Sequence, residues 1–128
     1  MKAIEAVVFD PVGIVVDERG EAYEDAAPAL AELDALGVKV IPVPSLSAAA
    51  LTKAVSDASL SGDRVICLTD NEQGIRAARA AGVQPVLMMN DPDEAMRLTA
   101  LNPAGGIVSL LELPDFVRFV ARQAASRP

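Results

Sequence analysis

Five short apolar segments alternate with helical patterns along this chain, and that alternation limits the folds open to it. Within each segment the apolar residues are consecutive, which is typical of parallel strands covered by helices on both faces. The expected strands are Ile4–Phe9, Val38–Val43, Arg64–Thr69, Pro85–Met89 and Gly106–Val108. Such alternation predicts an α/β protein in which a doubly wound parallel sheet of about five strands lies between two layers of helices.

Capping residues and apolar stripes predict the helices between these strands. The first is expected from about Asp25 to Leu36, with Asp25 as its N-cap and Gly37 just past its end. Its inward-facing residues would be Ala26, Leu30, Leu33 and Leu36. Further helices are expected at about Leu46–Ala58, at Glu72–Ala81 before Gly82, from Asp91-Pro92-Asp93-Glu94 onward, and at Pro114–Ala125, where Phe116, Val117, Phe119 and Val120 would face inward.

Composition narrows the classes of function. The 128 residues suit a single domain, 1–128, whose core must be aliphatic because aromatic residues make up only 3% of the chain. The net charge of −7 argues against nucleic-acid binding, which normally uses a basic face. The chain has no histidine, which excludes Ser-His-Asp catalysis, Cys-His catalysis and His-ligated zinc. The one cysteine, Cys67, lies in an apolar run and is expected to be a buried, inert thiol.

The sequence also gives expectations for the cellular location and the oligomeric state of the protein. No apolar run approaches the roughly 18 residues of a membrane span, and the N-terminus shows no secretion signal, so we expect a cytoplasmic protein without a membrane partner. A homodimer is compatible with the small aliphatic core. Met88 and Met89, at the end of a predicted strand, would line its interface or pack in the core.

The first predicted strand ends in a carboxylate and a glycine turn, in the segment Ala6-Val7-Val8-Phe9-Asp10-Pro11-Val12-Gly13-Ile14. In open α/β sheets, ligands bind at the carboxyl ends of the strands. The segment resembles the nucleophile motif of the haloacid dehalogenase-like (HAD) superfamily, in which three apolar residues precede Asp-x-Asp-Gly-Thr. Asp10 matches the nucleophile and Gly13 the glycine, whereas Val12 replaces the second Asp and Ile14 replaces the Thr.

A second segment, from Leu68-Thr69-Asp70 to Gly82, resembles the fourth HAD motif, Gly-Asp-Ser-x-x-Asp before an alanine-rich helix. Asp70 occupies the first acidic position, and Gly74 stands where the second Asp belongs. Carboxylates at neighbouring strand ends repel one another unless a cation lies between them, and Mg²⁺ prefers oxygen ligands. The resemblance implies a Mg²⁺ site formed by Asp10, the Val12 backbone carbonyl and Asp70. The alternative for each aspartate is turn or N-cap chemistry.

The remaining HAD positions are altered. The second motif places Ser or Thr directly after the second strand to contact phosphate, but Pro44 holds that place here. Ser45 follows it, either as a phosphate contact or as the N-cap of the next helix. For the basic residue of the third motif only Lys53 and Arg64 are candidates, and Lys53 is expected on a helix surface. The spacing omits one strand–helix unit and any cap domain, so the resemblance implies a capless, Rossmann-like sheet of strand order 2-1-3-4-5.

Two functions are compatible with this pattern. The chain is either a weak Mg²⁺-dependent phosphohydrolase, with Asp10 as nucleophile and a small phosphorylated molecule as substrate, or a catalytically inactive HAD-like domain used for binding or assembly. General acid–base help, which Val12 cannot give, is typically worth about 10²–10⁴-fold in rate. A receiver-like domain is a third reading. It is disfavoured because the expected adjacent early acids and late lysine are not found.

Overall fold

The computed structural model describes residues 2–125, which contain a single parallel sheet. Its strand order, β2-β1-β3-β4-β5, confirms the predicted order. The strands are β1 (Ala6–Phe9), β2 (Lys39–Pro42), β3 (Val65–Thr69), β4 (Gln84–Met88) and β5 (Gly105–Ile107). Each strand begins and ends within a residue or two of its expected position, because the strands coincide with the apolar runs of the sequence.

Helices cover both faces of the sheet. They are α1 (Ala26–Ala35), α2 (Ala48–Asp57), α3 (Glu72–Ala81), α4 (Pro92–Thr99) and α5 (Glu112–Ala125), with a short 3₁₀ turn at Gly62–Arg64 before β3. Helices α1 and α5 contact each other on one face, and α2 contacts α3 on the other. No helix among residues 2–125 combines the length and apolar character needed to cross a membrane.

Alternate residues of the central strands supply the cores of the two layers. Val7 belongs to the cluster that includes Leu33 of α1 and Val117 of α5, whereas its neighbour Val8 belongs to the cluster with Leu51 of α2. Cys67 lies fully buried in the second cluster, as predicted, and burial raises the pKa of its thiol to about 12. The thiol is therefore protonated and inert at neutral pH.

Two predicted helix starts and one predicted capping bond need correction. Helix α5 begins at Glu112 rather than at Pro114. Helix α2 begins at Ala48 rather than Leu46, because the Ser47 side chain accepts a hydrogen bond from the backbone N–H of Ala50 and forms the N-cap. Ser45 is therefore not the cap. Asp25 does precede α1, but its carboxylate makes no capping bond to that helix. It accepts hydrogen bonds from residues 109 and 110, before α5, at 2.8 and 3.1 Å.

Two residues expected to face inward are exposed. Phe119 of α5 is 51% exposed, because the buried stripe of this helix runs through Leu113, Val117 and Val120 at helical spacing and leaves position 119 on another face. Leu36 is 39% exposed, since it follows the last turn of α1 and only caps it. The helix ends as predicted with Gly37 in the left-handed region, at φ +77°.

Strand β2 forms one edge of the sheet, and its outer side offers few hydrogen-bond donors. The backbone N–H groups of Lys39 and Val43 point toward the β1 side, where carbonyls accept them. Direction alternates along a strand, so Ile41 points the same way and the backbone groups of residues 40 and 42 point outward. Pro42 has no N–H, so Val40 supplies the one outward backbone donor of the strand; Pro44, just beyond the strand, has no N–H either.

Candidate functional site

A small cavity of about 100 Å³ opens at the carboxyl ends of β1 and β3. These strands are paired neighbours, with Phe9 opposite Leu68, so the residues that follow them emerge side by side. Asp10 and Asp70 both line the cavity, as do Val12 and Ser45. The structure thus brings the residues predicted from the HAD resemblance to one place.

Asp10 begins a tight turn. One oxygen of its carboxylate accepts a hydrogen bond from the backbone N–H of Val12 at 3.1 Å, which is the turn chemistry considered from the sequence. The carbonyl of Pro11 then accepts the N–H groups of residues 14, 15 and 16, and Gly13 takes a φ of +89° that favours glycine. The turn occupies Asp10 Oδ1 and leaves Oδ2 without a hydrogen bond from residues 2–125.

Two amides hold the carboxylate of Asp70. The side-chain nitrogen of Asn71 donates to Asp70 Oδ1 at 3.0 Å, and that of Asn90 donates to Asp70 Oδ2 at 3.3 Å. Asn71 also caps α3, since its Oδ1 accepts the N–H of Gly74 at 2.9 Å. A β-carbon on Gly13 would lie 2.6 Å from Asp70 Oδ2, so only glycine permits this approach. The Asp70 carboxylate is therefore fixed against the turn that follows β1.

The positions that depart from the HAD pattern have three different environments. Val12 is 51% exposed, so its side chain lies at the surface of the site and supplies no proton donor. Ile14 is buried in the core with residues of α1 and α5. Gly74 is buried at the start of α3, and a β-carbon there would overlap the side chain of Thr69. With this backbone, no side chain therefore fits at the position of the second acid of the fourth HAD motif.

Ser45 remains available to a ligand because Ser47, and not Ser45, caps α2. The segment that contains Ser45 is held in place from α3, where the side-chain nitrogen of Gln73 donates to the carbonyl of Leu46 at 3.0 Å. Ser45 and Gln73 line the small cavity together. A hydroxyl at this position can donate to a phosphoryl oxygen or to another bound anion.

Neither candidate for the third-motif basic residue reaches the site. Lys53 lies on the surface of α2, as predicted, with Nζ 2.7 Å from the carboxylate of Asp57. Arg64 precedes β3 at the amino-terminal edge of the sheet, with a guanidinium nitrogen 3.9 Å from Glu5. A phosphate at the carboxyl edge would therefore find no basic side chain among the residues that line the cavity.

A wider cleft of about 820 Å³ surrounds the same two aspartates. All of its charged lining residues are acidic: Asp10, Glu18, Glu24, Asp25 and Asp70. Apolar contacts on its wall come from the partly exposed side chains of Val12, Tyr23 and Val108. Such a cleft attracts cations and repels a free phosphate dianion.

The donor set suits a hard divalent cation. Asp10, Asp70 and the Val12 carbonyl offer oxygen atoms only, and Mg²⁺ is commonly held by one or two carboxylates with several waters retained. No cluster of three acidic, histidine or cysteine side chains suited to a metal occurs within residues 2–125. The protein would therefore supply fewer charged ligands than a closed metal cage, and water would complete the coordination.

Three residues of the site were not singled out from the sequence. Asn90 follows an apolar run that ends at the carboxyl edge, so the rule that selected Asp10 and Asp70 also applies to it. Asn71 carries an N-cap signal, but its bond to Asp70 is visible only in the structure. The contact of Gln73 spans 27 residues and has no local sequence signal.

The fold and the strand order define a three-layer, Rossmann-like α/β protein with its polar site at the carboxyl edge. No protein-family model and no curated protein matches the sequence. One solved crystal structure matches with a TM-score of 0.74 at 14% identity, covering 97% of this chain and 98% of its own.

Two further solved structures share the fold. An uncharacterized protein from Listeria monocytogenes serotype 4b has a TM-score of 0.71 at 10% identity, covering 93% of this chain and 99% of its own. The cobalt-bound deoxy-D-mannose-octulosonate 8-phosphate phosphatase YrbI from Haemophilus influenzae has a TM-score of 0.67 at 12% identity, covering 96% and 92%. Similarity at these identities shows the fold alone.

Proposed function

We propose that this chain is a HAD-like domain that binds a divalent cation, Mg²⁺ foremost, between Asp10 and Asp70, and that its phosphohydrolase activity is at most residual. The observation that carries the proposal is that both aspartates line one cavity at the ends of adjacent strands, beside the turn that holds Val12. The shared fold with a cobalt-bound phosphatase supports a metal-dependent site of this type.

The residues present could perform part of a phosphoryl transfer. Asp10 has a carboxylate oxygen free to act as nucleophile, and Ser45 can donate a hydrogen bond to a phosphoryl oxygen. A cation bound by Asp10, Asp70 and the Val12 carbonyl would offset the charge that otherwise repels a small phosphorylated molecule. Val12 cannot protonate a leaving group, and the lining residues include no Lys or Arg to stabilise the transferred charge.

A second candidate function is a catalytically inactive binding or assembly module. Two observations favour it: every charged residue that lines the cleft is acidic, and an exposed valine stands in place of the general acid. In this reading Asp10 and Asp70 hold a cation or a partner without turnover. The two candidates share the site and differ only in whether a covalent bond is broken.

Cation binding can be measured with Mn²⁺, whose free-ion electron paramagnetic resonance signal falls on binding, and with competition by Mg²⁺. We expect binding by the wild-type chain and its loss in Asp10→Asn and Asp70→Asn. Asp34→Asn is the matched control, because it makes the same charge change on the exposed end of α1, at the opposite edge of the sheet. Equal affinity in all four proteins would overturn the proposal.

Turnover separates the two candidates. Mg²⁺-dependent release of phosphate from an activated aryl phosphate should be very slow or absent, and any real activity should disappear in Asp10→Asn and with a chelator. Cation binding without turnover would identify the binding module. Fast turnover by the wild-type chain would contradict the expected consequence of Val12.

A further inference from the structure

Asn90 joins three segments of the site. It follows β4 at the carboxyl edge, and its side-chain nitrogen donates to the backbone carbonyl of Gly13 at 3.1 Å and to Asp70 Oδ2 at 3.3 Å. A carbonyl and a carboxylate only accept hydrogen bonds, so the NH₂ side of the amide must face them. Asn90 therefore links the turn after β1, the end of β3 and the end of β4 in one orientation.

The neighbouring cationic side chains are engaged elsewhere. Arg76 and Arg97 both pair with Glu72, at 2.8 and 2.9 Å, and hold the pKa of that carboxyl below its ordinary value. Asp70 is thus oriented by the neutral amides of Asn71 and Asn90, which fix its position without cancelling its charge. A carboxylate held this way keeps its attraction for a cation, whereas an arginine at the same place would compete with the cation.

We propose that Asn90 is a positioning residue of the cation site, a role that rests on the proposed function. It acts directly on Asp70, one of the carboxylate ligands. It acts on the Val12 carbonyl through the adjacent Gly13, where a β-carbon would lie 2.6 Å from Asp70 Oδ2. Without the bridge, the end of β3 and the turn after β1 lose their shared hydrogen-bond donor, and the two halves of the site can move apart.

The test compares Mn²⁺ affinity in the wild-type chain, Asn90→Ala and Asn90→Gln. Loss of a partner that orients a metal ligand typically costs about 10–100-fold in affinity, and we expect that loss for Asn90→Ala. Asn90→Gln retains an amide donor on a longer side chain, so its Mn²⁺ affinity should lie between those of the wild-type chain and Asn90→Ala. Gln84→Ala is the matched control, since it removes an amide from the other end of the same strand.

Urea unfolding of each variant distinguishes positioning from a purely structural role, which would change stability while leaving affinity intact. If Asn90→Ala does not fold, Asn90→Gln alone must still bind Mn²⁺ more weakly than the wild-type chain. Unchanged affinity in the folded Asn90 variants, with binding lost in Asp70→Asn, would overturn this inference and leave the proposed function standing. Failure of the wild-type chain to bind Mn²⁺ would overturn both.

Discussion

Gly74, at the start of α3, lies directly against the side chain of Thr69 at the end of β3. A β-carbon at position 74 would overlap both the hydroxyl oxygen and the β-carbon of the threonine. The HAD resemblance places a second acid at this position. The packing of α3 against the end of β3 leaves no space for that acid here. Asn71, which lies between Thr69 and Gly74 in the sequence, caps α3 and holds Asp70.

Any side chain at position 74 should destabilise the protein. Overpacking typically costs about 1–3 kcal/mol, and we expect at least the lower value for Gly74→Ala and more for Gly74→Asp. In an exposed helix the same glycine-to-alanine change would stabilise by up to about 1 kcal/mol. Ala80→Gly, on the exposed side of α3, is the control: it measures how much stability this helix loses when an exposed alanine becomes glycine. The free energy of unfolding in urea is the measurement, and a Gly74→Ala protein as stable as the wild type would contradict the expectation.

Val12→Asp should be accepted by the fold and should raise activity. The Val12 side chain is 51% exposed, so the substitution should change the free energy of unfolding of the protein by less than about 0.5 kcal/mol. A carboxyl at this position restores a general acid, which is typically worth about 10²–10⁴-fold in rate. The comparison is Mg²⁺-dependent hydrolysis of an aryl phosphate by Val12→Asp and by Val12→Asn, its neutral counterpart. Equal rates would show that the missing acid is not what limits turnover.

Asp25 should contribute to stability through the segment before α5. Its carboxylate accepts hydrogen bonds from the Ser109 hydroxyl and the Leu110 N–H, so Asp25→Ala leaves two donors without this partner. An unsatisfied buried group costs about 1–3 kcal/mol, and the partly buried setting favours the lower end. Asp25→Asn keeps an acceptor and should lose less. Asp34→Ala, on the exposed surface of the same helix, should have little effect in the same unfolding assay.

The thiol of Cys67 should be unreactive in the folded protein. Burial raises its pKa to about 12, against about 8.5 for an exposed cysteine, so at pH 8 the thiolate is roughly 10³-fold scarcer. An aromatic disulfide reagent should therefore label it rapidly only after unfolding. Rapid labelling of the native protein would contradict the buried position.

The raised pKa of Cys67 also predicts a pH dependence of stability. The folded state keeps the proton to higher pH than the unfolded state, so stability from this group is complete below about pH 8.5 and is lost as pH rises toward 12. Cys67→Ala removes the titrating group, and its unfolding free energy should fall less than that of the wild type between about pH 8 and pH 10. Parallel pH profiles would contradict the prediction.

Much of the fold could be predicted because its three central strands, β1, β3 and β4, are buried on both faces. Runs of consecutive apolar residues predicted the strand bounds to within a residue or two. The aspartates after β1 and β3 were expected at the same sheet edge, and the structure places them there. The contacts that the sequence could not predict are those between side chains and partners distant in sequence. Asp25 has the right position for a cap but binds residues 109 and 110, and nothing local to Asn90 indicates that it reaches Gly13, 77 residues away.

Pro42 at the end of β2 has a consequence for how copies of this chain can meet. A strand from another molecule that adds to this edge would find outward carbonyl acceptors but only one outward N–H within β2, that of Val40. A proline on an edge strand discourages edge-to-edge pairing, which is the first step toward continuous sheets and fibrils. Stable self-association of this chain would then have to use a surface other than this edge, such as a helix face, the cleft or the opposite edge at β5, and Pro42 would help keep the chain dispersed at high concentration.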